Sequence, residues 1–257
     1  MKLTFVSTAF LLSATPLFAG TLNNLQAQAA PPISDSWDFG ISTYLLAAGV
    51  NGSIDIDGNR ADFNSSFSDI LENLNEGITL SGFASYKRWS LRADYLYMGM
   101  GLDRPTEVPI YNQVKADIKM SLFTSLLSYH IWQNEDAYIN LGAGARLFHL
   151  NGELELFPRF SFFPNIKADT SQNIWDGLIA ITGSYQFAPK WALRFYGDIG
   201  TGDSDLTWQT HLSVGYQATD SLVVLLGARQ VGYEMQHDNA SLDLSFAGPQ
   251  LGVVYTF

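Results

Sequence analysis

Imidazole titrates closest to neutral pH, so the four histidines are the first place to look for acid–base chemistry. They stand at His130, His149, His211 and His237. His237 is followed by Asp238 and is predicted to lie near the turn that carries Asp203 and Asp205. His211 falls on the same face of its segment as Ser213, with Asp205 farther along it. His149 has Glu153 and Glu155 nearby, and His130 sits beside a turn at the opposite end. General acid–base or nucleophilic work needs such groups within hydrogen-bond reach. No G-x-x-x-x-G-K-[ST], H-E-x-x-H, G-x-S-x-G or EF-hand pattern accompanies them. Asp55, Asp57, Gly58 and Asn59 have the start of a calcium loop, but the later bidentate Glu is misplaced, so a D-G turn is expected. These residues predict no catalytic site, no cofactor and no metal centre. The nearest alternative is the His237 and Asp238 cluster.

A second group has a clearer pattern. Arg92 and Asp94, then Lys115, Asp117 and Lys119, alternate along their segments. Arg146, Asp176, Arg194, Asp198, His211 and Arg229 occupy equivalent positions on what is read as the polar face of other segments. Charges of both signs at i, i+2 spacing pair along and across strands. The expectation is a narrow, charge-paired interior, with a small-solute conduit or pocket as the alternative.

The elements that would position these groups are strands of period two. In 205–217, Leu206, Trp208, Thr210, Leu212, Val214 and Tyr216 oppose Thr207, Gln209, His211, Ser213 and Gln217. Residues 191–200 repeat this arrangement. In 114–126 the face with Ile118, Met120 and Leu122 is read as outward, and that with Lys115, Asp117, Lys119 and Phe123 as inward. About ten strands are predicted, near 37–57, 76–87, 89–102, 112–131, 137–156, 173–187, 190–201, 205–218, 221–235 and 240–257, with eight as the alternative. Short connections such as Lys87-Arg88 contrast with longer ones at 58–75, 103–111 and 157–172. Trp37, Tyr86, Trp89, Tyr129, Trp132, Tyr185, Trp191, Tyr216 and Phe257 gather at the short-turn end, as an interfacial girdle would. Within 58–75, Phe67, Ile70, Leu71 and Leu74 have helical spacing, and Ser68 is the expected cap of a two-turn helix tucked over the mouth.

Composition agrees without choosing. The chain has 257 residues, is 47% hydrophobic, 14% aromatic and 15% charged, and has no cysteine, which excludes disulfides, thiolate metal sites and a cysteine nucleophile. A net charge of −11 argues against nucleic acid as a partner. Lys2 and the apolar run from Phe5 to Ala19 read as a secretory leader rather than a membrane span. Ala27-Gln28-Ala29 offers the expected cleavage site, with Ala19 and a retained anchor as alternatives. Removing 1–29 deletes Lys2 and no acid, taking the charge from −11 to −12. Residues 30–36 are then a short periplasmic segment before a barrel over 37–257. No later apolar run is long enough for a transmembrane helix, so a membrane form must be a closed barrel.

The last residues carry a resemblance. Gln250, Gly252, Tyr255 and Phe257 match the polar, Gly, aromatic and terminal Phe positions of the β-signal of bacterial outer-membrane proteins. Residues 37–102, with the loop from Phe67 to Leu74 and the strand from Trp89 to Tyr97, resemble the start of a broad group of small outer-membrane barrels. The resemblance implies an all-β, antiparallel up-and-down transmembrane barrel, export through the Sec pathway, and recognition of the last strand by the barrel-assembly machinery. It implies outer-membrane lipid and lipopolysaccharide as surroundings, and no particular chemistry. The expected role is structural or surface-interacting. A narrow channel for small solutes and a surface enzyme acting on lipid A or peptides are alternatives, and a soluble exported sandwich is the structural rival.

Overall fold

The computed structural model describes residue 33 and residues 35–105, 111–159, 165–237 and 240–257. The leader reading of 1–29 and Asp238 fall outside them, and so does the side chain of His237. Strands β1 (Trp37–Leu46), β2 (Gly49–Ile56) and β3 (Asn59–Ser65) precede a helix, α1 (Phe67–Asn73). Then follow β4 (Leu74–Tyr86), β5 (Trp89–Pro105), β6 (Tyr111–Gln133), β7 (Ala137–Pro158) and β8 (Ile166–Ala188). The chain closes with β9 (Trp191–Gly202), β10 (Leu206–Gln217), β11 (Leu222–His237) and β12 (Ala240–Thr256).

Antiparallel pairing runs from β1 to β4 and then through each successive strand to β12, which pairs back on β1 and closes a ten-stranded barrel. Closure removes free edges, the condition for a sheet to cross a bilayer. Large apolar side chains lie exposed around the outside, among them Ile41, Leu91, Leu127, Ile179, Leu212, Leu226 and Leu251. The short turns join an aromatic ring: Trp37 stacks on Tyr86 at 5.1 Å, Trp89 meets Tyr129 edge-on at 4.9 Å and Trp191 lies tilted against Tyr216 at 4.7 Å. Each of these pairs is also a cross-strand register pair.

The first predicted strand, 37–57, is interrupted, and Pro249 explains where. Ala47 N–H donates to Pro249 O at 2.9 Å, but proline has no N–H with which to complete the reciprocal pair. The strand breaks at Ala47-Ala48 and resumes as β2 in unchanged register on β12, with Leu46 opposite Gln250 and Gly49 opposite Ala247. β2 turns back into β3 through Asp57 (φ 53°) and Gly58 (φ 80°), the positive-φ pair of a tight hairpin. The region predicted as one loop, 58–75, is therefore a strand and a helix. Ser66 caps α1, with Asp69 returning the capping box, so the expected Ser68 cap is corrected by two residues. Ile70 is buried, whereas Phe67 and Leu71 are exposed. α1 packs against β2 and β5, above the point where β1–β4 pairing ends at Ser42 opposite Ser81.

The rim is uneven. β9 and β10 have 12 residues each, close to the 9–11 or so that a tilted strand needs to cross. β6, β7 and β8 have 23, 22 and 23, and Ile166–Trp175 of β8 pairs with β7 alone. With the end of β5, whose Gly101–Pro105 pairs with β6 alone, these strands stand beyond the barrel as a four-stranded flap, which shortens the loops predicted at 103–111 and 157–172.

Candidate functional site

β-strand alternation sends one residue in two inward, and seven strands deliver a polar network across the interior. Arg146 on β7, fully buried, donates to Thr207 Oγ1 at 2.9 Å, to Thr124 Oγ1 at 3.3 Å and to the carboxylate of Asp198 on β9. Asp198 also accepts from the Tyr196 hydroxyl. Arg229 on β11 donates to Asp94 Oδ2 on β5 at 3.0 Å and to the Tyr44 hydroxyl on β1 at 2.5 Å. Tyr44 in turn donates to Asp94 at 3.1 Å. Gln209 on β10 joins the two halves: its Oε1 accepts from Arg146 at 3.1 Å and from Arg229 at 3.0 Å. Two ion pairs and a shared amide thereby form a belt from β1 and β5 to β7 and β9. A buried ion pair holds only where further hydrogen bonds satisfy it, and here hydroxyls and Gln209 supply them.

On the short-turn side of the belt lies a polar chamber of about 130 Å³. Ser42, Ser81, Arg92, Asp94, Tyr138, Arg194, His211, Ser213, Arg229 and Gln250 contribute to its lining. On the far side the interior is apolar. Met120, Leu122, Phe148, Val231 and Tyr233 are buried together, flanked by Leu96, Met98, Met100, Leu150, Ile174, Met235, Leu244 and Phe246. Phe148 stacks on Tyr233 at 5.1 Å. Every methionine after Met1 belongs to this cluster.

Of the charged residues predicted to line the interior, Arg92, Asp94, Arg194, His211 and Arg229 line the chamber, and Arg146 and Asp198 lie in the belt. Asp176 is buried at the outer rim, where it accepts from Ser204 N–H at 3.0 Å and Ser204 Oγ at 2.8 Å. Lys115, Asp117 and Lys119 are a correction. β6 buries Met120, Leu122, Thr124 and Leu126, so the odd-numbered face with those three charges is the exposed one. The physical reason is the apolar interior of the outer half, which makes the inward face of β6 as hydrophobic as a lipid-facing one. Lys115 instead lies 3.6 Å from Asp103 on the flap.

Sequence reasoning missed Tyr44, Gln209, Thr124, Thr207 and Tyr196 as members of the belt. Gln209 stood on the polar face already, and its lack of charge kept it out of the charged set. The apolar cluster gave a signal too, in the spacing of Met98 and Met100, but it reads like an outward face.

Among the described side chains the histidines are not brought together. His211 faces the chamber, His130 stacks on Tyr138 at 5.5 Å, and His149 Nδ1 pairs with Asn173 Oδ1 at 2.8 Å. Asp203 and Asp205 accept from the backbone N–H groups of Trp175 and Gln236, at 2.9 and 2.5 Å, and so brace the β9–β10 turn. Among the described residues no three His, Asp or Glu converge as metal ligands. At the C-terminus, Gln250 and Gly252 face inward, while Tyr255 and Phe257 lie exposed with rings 5.1 Å apart.

No protein-family model and no curated protein matches the chain. Among solved structures it is similar to the outer membrane protease OmpT from Escherichia coli, with a TM-score of 0.54 and 11% identity over 87% of this chain and 97% of that one. Weaker likenesses link it to the attachment invasion locus protein Ail of Yersinia pestis, with a TM-score of 0.36 and 13% identity over 86% of this chain and 99% of that one. OprG from Pseudomonas aeruginosa gives a TM-score of 0.36 and 13% identity over 87% of this chain and 97% of that one. At such identities the likeness concerns fold. The chain has the closed, antiparallel ten-stranded barrel fold of bacterial outer-membrane proteins.

Proposed function

We propose that this chain is an integral outer-membrane barrel whose lumen is shut midway and whose work is structural or done at the surface. The observation that carries the reading is the Asp198–Arg146–Gln209–Arg229–Asp94 belt, which crosses the interior without a gap in its hydrogen bonds. An open aqueous pore would hydrate these groups separately. The apolar cluster beyond the belt adds a second, dry obstruction. Among the described side chains, Asp203 and Asp205 are engaged with backbone N–H groups. Passage of small solutes is the second reading, and the polar chamber favours it, but it requires the belt to open.

The short turns with their aromatic ring are assigned to the periplasmic side and the flap to the outside. The flap presents the exposed register rows Lys115–Glu155–Lys167 and Asp117–Glu153–Asp169 to lipopolysaccharide or to a surface partner. Gln250, Gly252, Tyr255 and Phe257 are assigned as the signal read by the barrel-assembly machinery. Introduced cysteines report cleanly in a chain with none of its own. On whole cells, a membrane-impermeant thiol reagent is expected to label Asp117→Cys and to leave Ser213→Cys unlabelled. Labelling of Ser213→Cys from outside at the same rate would overturn the closed lumen, and protection of Asp117→Cys would overturn the orientation.

A further inference from the structure

The chamber below the belt holds more positive charge than its walls neutralise. Its lining includes three arginines, Arg92, Arg194 and Arg229, and one carboxylate, Asp94. That carboxylate is already engaged by Arg229 at 3.0 Å. Among the described residues no Asp or Glu lies within ion-pair distance of Arg92 or Arg194. Asp198 pairs with Arg146 on the belt, and Asp38, on the inward face of β1 nearer the short turns, makes no ion pair with either arginine. Neither guanidinium is neutralised by a carboxylate: Arg194 is half-buried with its Nε enclosed, whereas Arg92 is exposed. Guanidinium cannot shed its proton, so both keep their charge.

The surrounding polar atoms are the right kind to complete an anion site. Arg194 Nε, Arg229 Nε, His211 Nε2 and Ser213 Oγ are buried without a protein partner. Several donors converging on one enclosed volume suit a ligand with several acceptor oxygens, as Arg forks suit phosphate and carboxylate. The volume of about 130 Å³ equals the liquid share of about four waters, enough for one small oxyanion. It is too small for a lipid headgroup with its chains.

We propose that the chamber is a binding site for a small free oxyanion of the phosphate class, held by Arg92 and Arg194 with His211 and Ser213 as further donors. The belt forms its outer wall, so the anion exchanges on the periplasmic side.

The test uses the full barrel, folded in neutral detergent, with inorganic phosphate as probe. Equilibrium dialysis with labelled phosphate is expected to retain one phosphate per barrel at saturation. The midpoint at which the compact unheated gel band is lost should rise with phosphate, as binding to the folded state alone requires, and not with chloride at matched ionic strength. Arg194→Gln and Arg92→Gln should each weaken retention about tenfold or more, the loss of a charge-assisted contact. Ser213→Ala, a smaller change, covers the case in which an arginine variant fails to fold, and should weaken retention measurably. No retention by the wild-type barrel, or equal retention by all folded variants, would overturn the proposal. So would stabilisation that appears only when anionic phospholipid is added to the micelles.

Discussion

On one side of Gln209 the barrel interior holds Arg92, Arg194, His211 and a file of serines; on the other the same strands carry Leu96, Met98, Met120, Leu122 and Phe148. Both halves face away from lipid, and both are built by period-two strands, yet one is charged and the other dry. β5 makes the change within six residues, from Arg92 and Asp94 to Leu96 and Met98. The difference shows that facing inward does not dictate polarity. Hydration does: the lower half keeps a chamber, and the upper half is filled to contact by flexible methionines and stacked rings, as a soluble core is. The belt lies at the boundary, where its charges are taken up by one another.

Breaking the belt should have the largest effect. Arg146→Leu removes four hydrogen bonds and leaves Asp198 facing Tyr196 alone. Loss of one partner from a buried pair costs about 3–5 kcal/mol. The denaturant midpoint, followed by unheated gel mobility, should fall accordingly, while ion conductance stays absent, because the apolar cluster still fills the far half. Phe148→Ala tests the other half. It should cost about 3 kcal/mol through the cavity it leaves, and conductance should stay absent, because the belt is intact. Conducting steps from either single variant would show that the two halves are not separate barriers.

Smaller effects sharpen the contrast between the barrel and its rim. Ser66→Ala removes the capping box of α1 and should cost about 1 kcal/mol locally. Faster amide exchange in 67–73, with the strands unchanged, is the expected readout. The flap should respond to acid. Lys167, at 3.0 Å, and Asn165 hold the Glu155 carboxyl below its usual range, with the Lys115 charge adding to them. A depressed folded value means that Glu155 supports the flap above the ordinary carboxylate range and loses that support as pH falls through the folded value. Lys167→Gln should raise the Glu155 titration, followed by carbon-13 carboxyl shifts, back toward the ordinary range.

Much of the barrel was legible because lipid imposes a simple rule on the outside. The strand positions, the aromatic girdle and the faces of 205–217 follow from alternation, and the chain's Pro and Gly mark the turns. The interior was legible only where it is charged. Arg146, Asp198, Arg229 and Asp94 stand out by type, but which acid meets which arginine depends on register across strands up to 135 residues apart, as for Arg229 and Asp94. Lys115, Asp117 and Lys119 were placed on the wrong side because β6 is apolar inward and, past the membrane, charged outward. The break at Ala47-Ala48 hid in Pro249, two hundred residues away in sequence and directly opposite in the barrel. The two unpaired arginines could not be told from paired ones until the sheet was closed.

The closed lumen is tested most directly by single-channel recording of the purified, folded wild-type barrel in a planar bilayer. The account predicts a silent wild type; sustained conducting steps from it would contradict the account.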